Sequence, residues 1–283
     1  MFPETWQIHL APWVNDAINW LTTNWGPGFD LVSGWVLGMM LTIQGGLLAI
    51  PWWLYLVVVA ALSFWQTRRP WLPLTLVALF LSAGLFGYWE EAMETLAIMI
   101  TAVVLALVLG IPLGILMAES NRANDVLAPL LDAMQTMPSF VYLIPAMMLF
   151  GLGKVPAVFA VLVYALPPVM RLTNLGIRQV STEVQEAARA FGATRLQMLT
   201  EVRLPLAMPS IMAGVNQTTM MALAMVVIAS MVGAGGLGEK VLIAVNRIDA
   251  GTGFEAGFVV VALAIVIDRL TQGVGRRWEH SGR

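Results

Sequence analysis

Glu186-Ala187-Ala188-Arg189-Ala190-Phe191-Gly192, followed at fixed distance by Val202-Arg203-Leu204-Pro205, is the stretch on which the reading of this chain turns. It is a charged, helix-forming island between long apolar runs. A chain that is apolar almost everywhere else and keeps such an island presents a surface to a soluble partner. The spacing of Thr182 and Gln185 is that of a capping box, which starts a helix near Glu183. Ala187, Ala188, Arg189 and Ala190 are good helix formers. Gly192 stands where a left-handed C-terminal cap ends that helix. Thr194 and Gln197 repeat the box and open a second helix through Leu199, Glu201 and Arg203. Pro205 disfavours helical geometry at the residue before it and so marks a change of segment. The expected result is helix, glycine turn, helix, with a small alanine face beside Glu186 that lets a partner approach closely.

Composition places this island in a membrane protein. Of 283 residues, 59% are hydrophobic and 11% charged, with a mean hydropathy of +0.79. A soluble domain carries roughly 25% charged residues, more than twice the solubilising charge found here. The absence of cysteine excludes a disulfide scaffold, a cysteine-ligated metal and a thiol nucleophile. The N-terminal Met-Phe-Pro-Glu-Thr-Trp lacks the basic region of a secretory signal, so the first apolar segment directs insertion.

A bilayer core of about 30 Å needs roughly 20 apolar helical residues. Seven runs meet that requirement: 46–66, 71–88, 95–117, 132–152, 155–175, 208–231 and 255–273. Ahead of them, 4–26 is amphipathic, with Trp6, Trp13, Trp20 and Trp25 suited either to the headgroup region or to packing as a tail on the other spans. Residues 29–45 read as a second interfacial segment or an eighth span. The expected organisation is an interfacial segment 1–45, accessory spans 46–90, a core 91–275 with its polar loop at 180–205, and a cytoplasmic tail 276–283. With the N-terminus outside, inner segments hold Arg68, Arg69, Arg122, Arg171, Arg178, Arg189, Arg195, Arg203, Arg269, Arg276, Arg277 and Arg283. Outer loops hold only Lys154, Lys240 and Arg247. Basic residues favour the cytoplasmic side, so the island faces inward, while Ala92 and Gly251 face outward.

The spacing Glu-Ala-Ala, three residues, Gly, nine residues, one aliphatic, one residue, Leu-Pro resembles the loop by which permeases of ATP-binding-cassette (ABC) importers dock on their ATPases. Val202 stands where that pattern has isoleucine. From Thr95 to Gly275 the chain is similar to permeases of proline/glycine-betaine importers. The similarity is carried by Leu130–Pro145, Tyr164–Pro168, Leu206–Thr218 and Met225–Met231. The resemblance implies an all-α membrane protein with the type I importer permease fold, a five-span core plus N-terminal spans. It implies Glu186, Ala187, Ala188, Arg189, Gly192, Ala193, Leu204 and Pro205 as the ATPase-coupling residues. It further implies a homodimer in the bacterial inner membrane, working with two ATPase subunits and an extracytoplasmic binding protein. The cargo would be glycine betaine, choline, proline betaine, carnitine or trimethylamine N-oxide.

Other motifs dissolve on inspection. Gly233-Ala-Gly235-Gly236-Leu-Gly238 fits the dinucleotide fingerprint but follows an apolar span, not a strand. No Walker sequence exists, so ATP and Mg²⁺ belong to a partner chain and no cofactor to this one. Asn216-Gln217-Thr218 is a glycosylation sequon at membrane depth. A helix–turn–helix reading as a DNA binder fails on the flanking spans and mixed charge, leaving no nucleic-acid partner. His9 and His280 lie at opposite ends, and no metal site is expected.

A translocation path is expected beside the breaks at Pro138 and Pro145 and in the proline-rich fifth span (Pro156, Pro167 and Pro168), since broken membrane helices face protein or a watery cavity. Gln135, Pro138, Phe140, Tyr142, Tyr164, Asn216, Thr219 and Met220 are its candidate lining. Aromatic faces attract a quaternary ammonium by cation–π contact worth roughly 0.5–2 kcal/mol. The rival reading is an ion-coupled secondary transporter or channel for a small osmolyte. That would need ionisable residues in mid-membrane, whereas Asp132, Glu255 and Asp268 lie at span ends.

Overall fold

The computed structural model describes residues 10–67 and 71–280. Trp6, His9, Arg68, Arg69 and Arg283 lie outside the described residues, and the side chains of Arg276, Arg277 and His280 are likewise undescribed. The helices are α1 (Ala11–Ala49), α2 (Trp52–Thr67), α3 (Trp71–Leu85), α4 (Trp89–Glu119), α5 (Asn121–Thr136), α6 (Leu143–Phe150) and α7 (Lys154–Arg178). They continue with α8 (Thr182–Ala190), α9 (Arg195–Gln197), α10 (Leu204–Ala229), α11 (Gly236–Arg247) and α12 (Ala250–His280). There is no strand among the described residues. A membrane chain has no water to satisfy its backbone, so helices are the expected solution.

Among the described residues, five helices are long and apolar enough to cross a bilayer: α1, α4, α7, the α9–α10 run and α12. A sixth arises if α5 and the segment Ser139–Phe150 count as one span bent by 110°. The expected runs 46–66 and 71–88 appear as shorter apolar helices, α2 and α3. At 16 and 15 residues they reach only about 24 and 22 Å at 1.5 Å per residue.

The N-terminal reading needs correction. The expected segments 4–26 and 29–45 are one helix, with Pro27 inside it, and the expected boundary at 45/46 falls within that helix. An interior proline costs about 3 kcal/mol, but breaking the backbone in an apolar medium strands several polar groups, and continuity wins. α1 ends where Ile50 becomes extended ahead of Pro51.

Prolines elsewhere are just as selective. Pro138 does break its span, with Met137 extended before it. Pro145 sits in the first turn of α6, where its missing N–H has no intrahelical role. Pro167 and Pro168 lie inside an unbroken α7, contrary to the disturbance expected there.

The core is the sheaf α4–α7–α10, the most extensively packed helices of the chain. Glycine makes this packing possible. A Cβ on Gly110 would lie 2.5 Å from Val169 Cγ1, and one on Gly114 would lie 2.8 Å from the Met170 carbonyl oxygen. This Gly-x-x-x-Gly edge lets two backbones touch, as small residues do in membrane helix pairs. Gly176 and Gly214 play the same part between α7 and α10.

Polar side chains gather at the two ends of the sheaf. At one end Lys154 pairs with Glu94 at 2.5 Å and Lys240 with Glu91 at 3.0 Å. At the other, Arg203 pairs with Glu119, and Arg178 donates to the Met117 carbonyl at 2.7 Å. The Glu91 hydrogen bond raises the Lys240 pKa above the ordinary lysine value. A raised lysine contributes stability below its unfolded pKa and loses it only as pH climbs through the folded one, so that tie holds at neutral pH.

Candidate functional site

The polar island folds into an exposed helix–turn–helix at the Arg203 end of the sheaf. Ser181, not Thr182, caps α8, accepting from the Val184 N–H at 3.4 Å. Gln185 donates instead to the Val180 carbonyl at 2.8 Å, so the cap shifts to Ser181 and the expected first capping box does not form. The second box is as expected. Thr194 Oγ1 accepts from the Gln197 N–H, and Gln197 Oε1 accepts from the Thr194 N–H at 3.0 Å.

Between the boxes, Gly192 has φ +85°. The Gly192 N–H donates to the Arg189 carbonyl at 2.9 Å and the Ala193 N–H to the Ala188 carbonyl at 3.1 Å. These are the two bonds of a Schellman cap, which satisfies the last carbonyls of α8.

After α9 the chain makes a π turn, Met198–Arg203, and runs directly into α10. The change of segment expected at Pro205 is absent, and Leu204 is helical at φ −63° and ψ −48°. In a π turn the N–H of Leu204 reaches back five residues to Leu199. The widened turn accommodates Pro205, which cannot donate. Leu204 packs against the buried cluster of Ala118, Ile177, Ala207 and Ile211. It anchors the loop, while Pro205 stays exposed.

No residue of α8 is buried. Glu186, Ala187 and Arg189 face outward, and neither Glu186 nor Arg189 has an ion pair among the described residues. Phe191 is 94% exposed and Leu196 70%. Sequence reasoning passed over both. The available signal was an aromatic residue beside the cap glycine of a nine-residue helix that has nothing to pack it on. A concavity of about 290 Å³ opens between Ala188, Gly192 and Ala193 on one side and Gln197, Glu201 and Val202 on the other. Exposed apolar groups around a shallow cleft make a surface suited to a protein partner.

The expected path residues fall in two places. Gln135, Pro138, Phe140 and Tyr142 surround the 110° bend, where the Tyr142 hydroxyl donates across the break to the Met134 carbonyl. Tyr164 of α7 brings its ring to 6.4 Å from that of Tyr142. Asn216, Thr219 and Met220 are not gathered there. Asn216 donates to Asp268 at 3.4 Å and accepts from Thr271, tying α10 to α12. Thr219 is buried and donates to the Val215 carbonyl of its own helix at 2.9 Å. Met220 lines a separate groove of about 230 Å³ with Leu223, Val261 and Asp268. A list taken from polarity near prolines does not say which neighbour a helix face meets: at i, i+3 and i+4 these three share one side of α10, and Asn216 and Met220 there meet α12, not the bend.

The segment that imitated a dinucleotide fingerprint has its own explanation. Gly233, Gly235 and Gly236 all have positive φ. The N-terminus of α11 receives the Glu94 carboxylate on the Gly236 N–H at 2.8 Å, and Thr95 Oγ1 on the Leu237 N–H at 2.9 Å. A Cβ at Gly235 would lie 2.7 Å from that carboxylate. The glycines bring backbone donors onto an anion, as in the nucleotide motif, but the anion is the chain's own.

Residues 110–280 match the family described as binding-protein-dependent transport system inner membrane component. Over 269 residues the chain is 48% identical to the glycine betaine/proline betaine transport system permease protein ProW of Escherichia coli, spanning 95% of this chain and 76% of that one. It is 45% identical to the glycine betaine/carnitine transport permease protein GbuB of Listeria monocytogenes, over 97% and 98% of the two chains. The trimethylamine N-oxide transport system permease protein TmoV of Ruegeria pomeroyi is 40% identical, over 68% and 29%. Among solved structures, an inward-facing conformation of the MetNI methionine ABC transporter superposes with a TM-score of 0.60 at 22% identity, over 65% of this chain and 93% of that one. That likeness is one of fold. The expected fold class and location are therefore those observed, an all-α, multi-pass protein of the bacterial inner membrane with the type I importer permease fold. The chain belongs to the binding-protein-dependent transport system inner membrane components, the permeases of ABC importers.

Proposed function

We propose that this chain is the membrane-spanning half of an ATP-driven importer of small methylated amines, coupled to a separate ATPase through residues 180–205. The observation that carries the reading is the exposed α8–Gly192–α9 surface, with solvent-facing Phe191 and with Glu186, which has no ion pair among the described residues. Two ATPase subunits, a second copy of the chain and an extracytoplasmic binding protein complete the complex. ATP and Mg²⁺ are handled by the ATPase, and this chain supplies the route. Lipid is its surrounding solvent.

The cargo class is supported by relatives named for glycine betaine, proline betaine, carnitine and trimethylamine N-oxide transport. The Tyr142–Tyr164 pair at the bend adds ring faces suited to a quaternary ammonium. The test is uptake of labelled betaine, choline and trimethylamine N-oxide by the reconstituted complex with its binding protein. Tyr142→Ala or Tyr164→Ala should slow uptake without lowering substrate-independent ATP hydrolysis. Transport of a sugar or an inorganic anion, and of none of these amines, would overturn the substrate class.

The orientation has its own test. Ala193→Cys should be shielded from impermeant thiol reagents in intact cells, whereas Gly251→Cys should be labelled. Ala92, also expected to face outward, is fully buried, so the exposed neighbour Glu90 carries the second outer probe as Glu90→Cys. Labelling at position 193 from outside would reverse the topology. The lack of native cysteine makes the readout unambiguous.

A further inference from the structure

The two ends of the docking loop are both fastened to one helix terminus. Arg178, the last residue of α7, donates to the Met117 carbonyl at 2.7 Å and to Asn174 Oδ1 at 2.8 Å. Arg203, the last residue of the π turn, pairs with Glu119, the last residue of α4. The final carbonyls of a helix carry partial negative charge, so guanidinium groups placed there bind both a carbonyl and the helix dipole.

α4 is 31 residues long, roughly 46 Å at 1.5 Å per residue. Its other end is held just as firmly. Glu94 binds Lys154 and the Gly236 N–H, and Glu91 binds Lys240. One helix thus carries charged ties at both membrane faces, to the docking loop on one side and to the loop ahead of α11 on the other. Docking on an ATPase requires none of these ties.

Arg203 also has a buried Nε with no acceptor among the described residues. An unsatisfied buried donor raises the energy of the arrangement that contains it. Turning the guanidinium so that this Nε met an acceptor would relieve that cost. Arg203 sits at a π turn, where the helix already holds an irregular hydrogen-bond register.

We infer that α4 is the rod by which movement of the docking loop reaches the outer loop, with Arg203 and Glu119 the positioning residues that fasten it. This rests on the docking reading above. The test uses the complete complex of permease, ATPase and binding protein in liposomes, comparing Arg203→Ala, Glu119→Gln and the exchange Arg203→Glu with Glu119→Arg. The ATPase should stay bound and keep hydrolysing ATP in Glu119→Gln, whose site at the end of α4 lies outside residues 180–205. Amine transported per ATP should fall about tenfold, within the range expected when a coupling contact is removed. The charge exchange should recover a substantial part of it.

Wild-type transport per ATP in both single variants would overturn the assignment. So would loss of the ATPase from Glu119→Gln complexes, which would make the pair part of the docking surface. A parallel drop in thermal unfolding temperature and uptake that the exchange does not restore would reduce the pair to a structural brace. Failure of docking itself would read differently, as a Glu186→Lys complex that retains its ATPase and transports normally.

Discussion

Uptake should collapse when Gly192 is replaced by valine, while the permease remains inserted at normal abundance. The reason is conformational. A Cβ at this position would meet nothing within 4 Å, so crowding is not the obstacle. The backbone is, because φ +85° costs an ordinary residue about 1–2 kcal/mol and a β-branched one more. That strain lowers the population of the intact turn by roughly 5–30-fold. α8 has nine residues and none buried, so little opposes its unwinding. The α4–α7–α10 sheaf is not touched, which keeps insertion normal. Glu186→Lys should reach the same endpoint by another route, since it reverses an exposed charge without disturbing the helix. Uptake, ATPase co-purification and membrane abundance together decide it. Gly192→Asn is the control, because asparagine tolerates this backbone region better than other residues. Normal uptake by both Gly192→Val and Glu186→Lys would refute the docking assignment.

The second large effect is expected inside the sheaf. Gly114→Leu should sharply reduce the amount of folded protein in the membrane. Its Cβ would be 2.7 Å from Thr173 Cβ and 2.8 Å from the Met170 carbonyl oxygen. A backbone oxygen in a packed helix cannot step aside as a side chain can, so α4 and α7 must separate. Overpacking of this kind costs about 1–3 kcal/mol even in cores that adjust. Losses of that size change cellular abundance several-fold. The matched control is Gly38→Leu on α1, where an added Cβ meets nothing within 4 Å. Membrane abundance and thermal unfolding of the two variants should diverge, and equal behaviour would remove the glycine contact from the list of what holds the sheaf together.

Signals that act over three or four residues were legible in the sequence. The Thr194–Gln197 box, the turn at Gly192 and the break at Pro138 each depend on local backbone chemistry, and each is present. Signals that depend on competition were not. Pro167 and Pro205 read as interruptions, yet each sits in continuous helix, as does Pro27 where the expected segments 4–26 and 29–45 divide. An apolar medium raises the cost of exposed backbone above that of a proline kink. The Ser181 cap was missed because Ser181 and Thr182 are equally good candidates, and only the path of the chain leaving α7 chooses between them. The path residues suffered most. Polarity near a proline nominates residues, but only the arrangement of neighbouring helices shows that Tyr142 meets Tyr164 while Asn216 turns to Asp268. The Gly110–Gly114 edge was present in the sequence and went unread, because spacing alone does not say which helix lies against it.

The turn at Gly192 has a consequence for what its position specifies. Phe191 and Ala193 supply the side chains on either side, and Gly192 supplies only a mirror-image backbone. With open space where an L side chain's Cβ would be, an L-alanine there would meet no clash but would be under strain, a strain that a residue of the opposite hand escapes. Within this chain's own fold, what residue 192 must supply is therefore handedness, not size. The angle between the two helices is written in the stereochemistry of a single α-carbon.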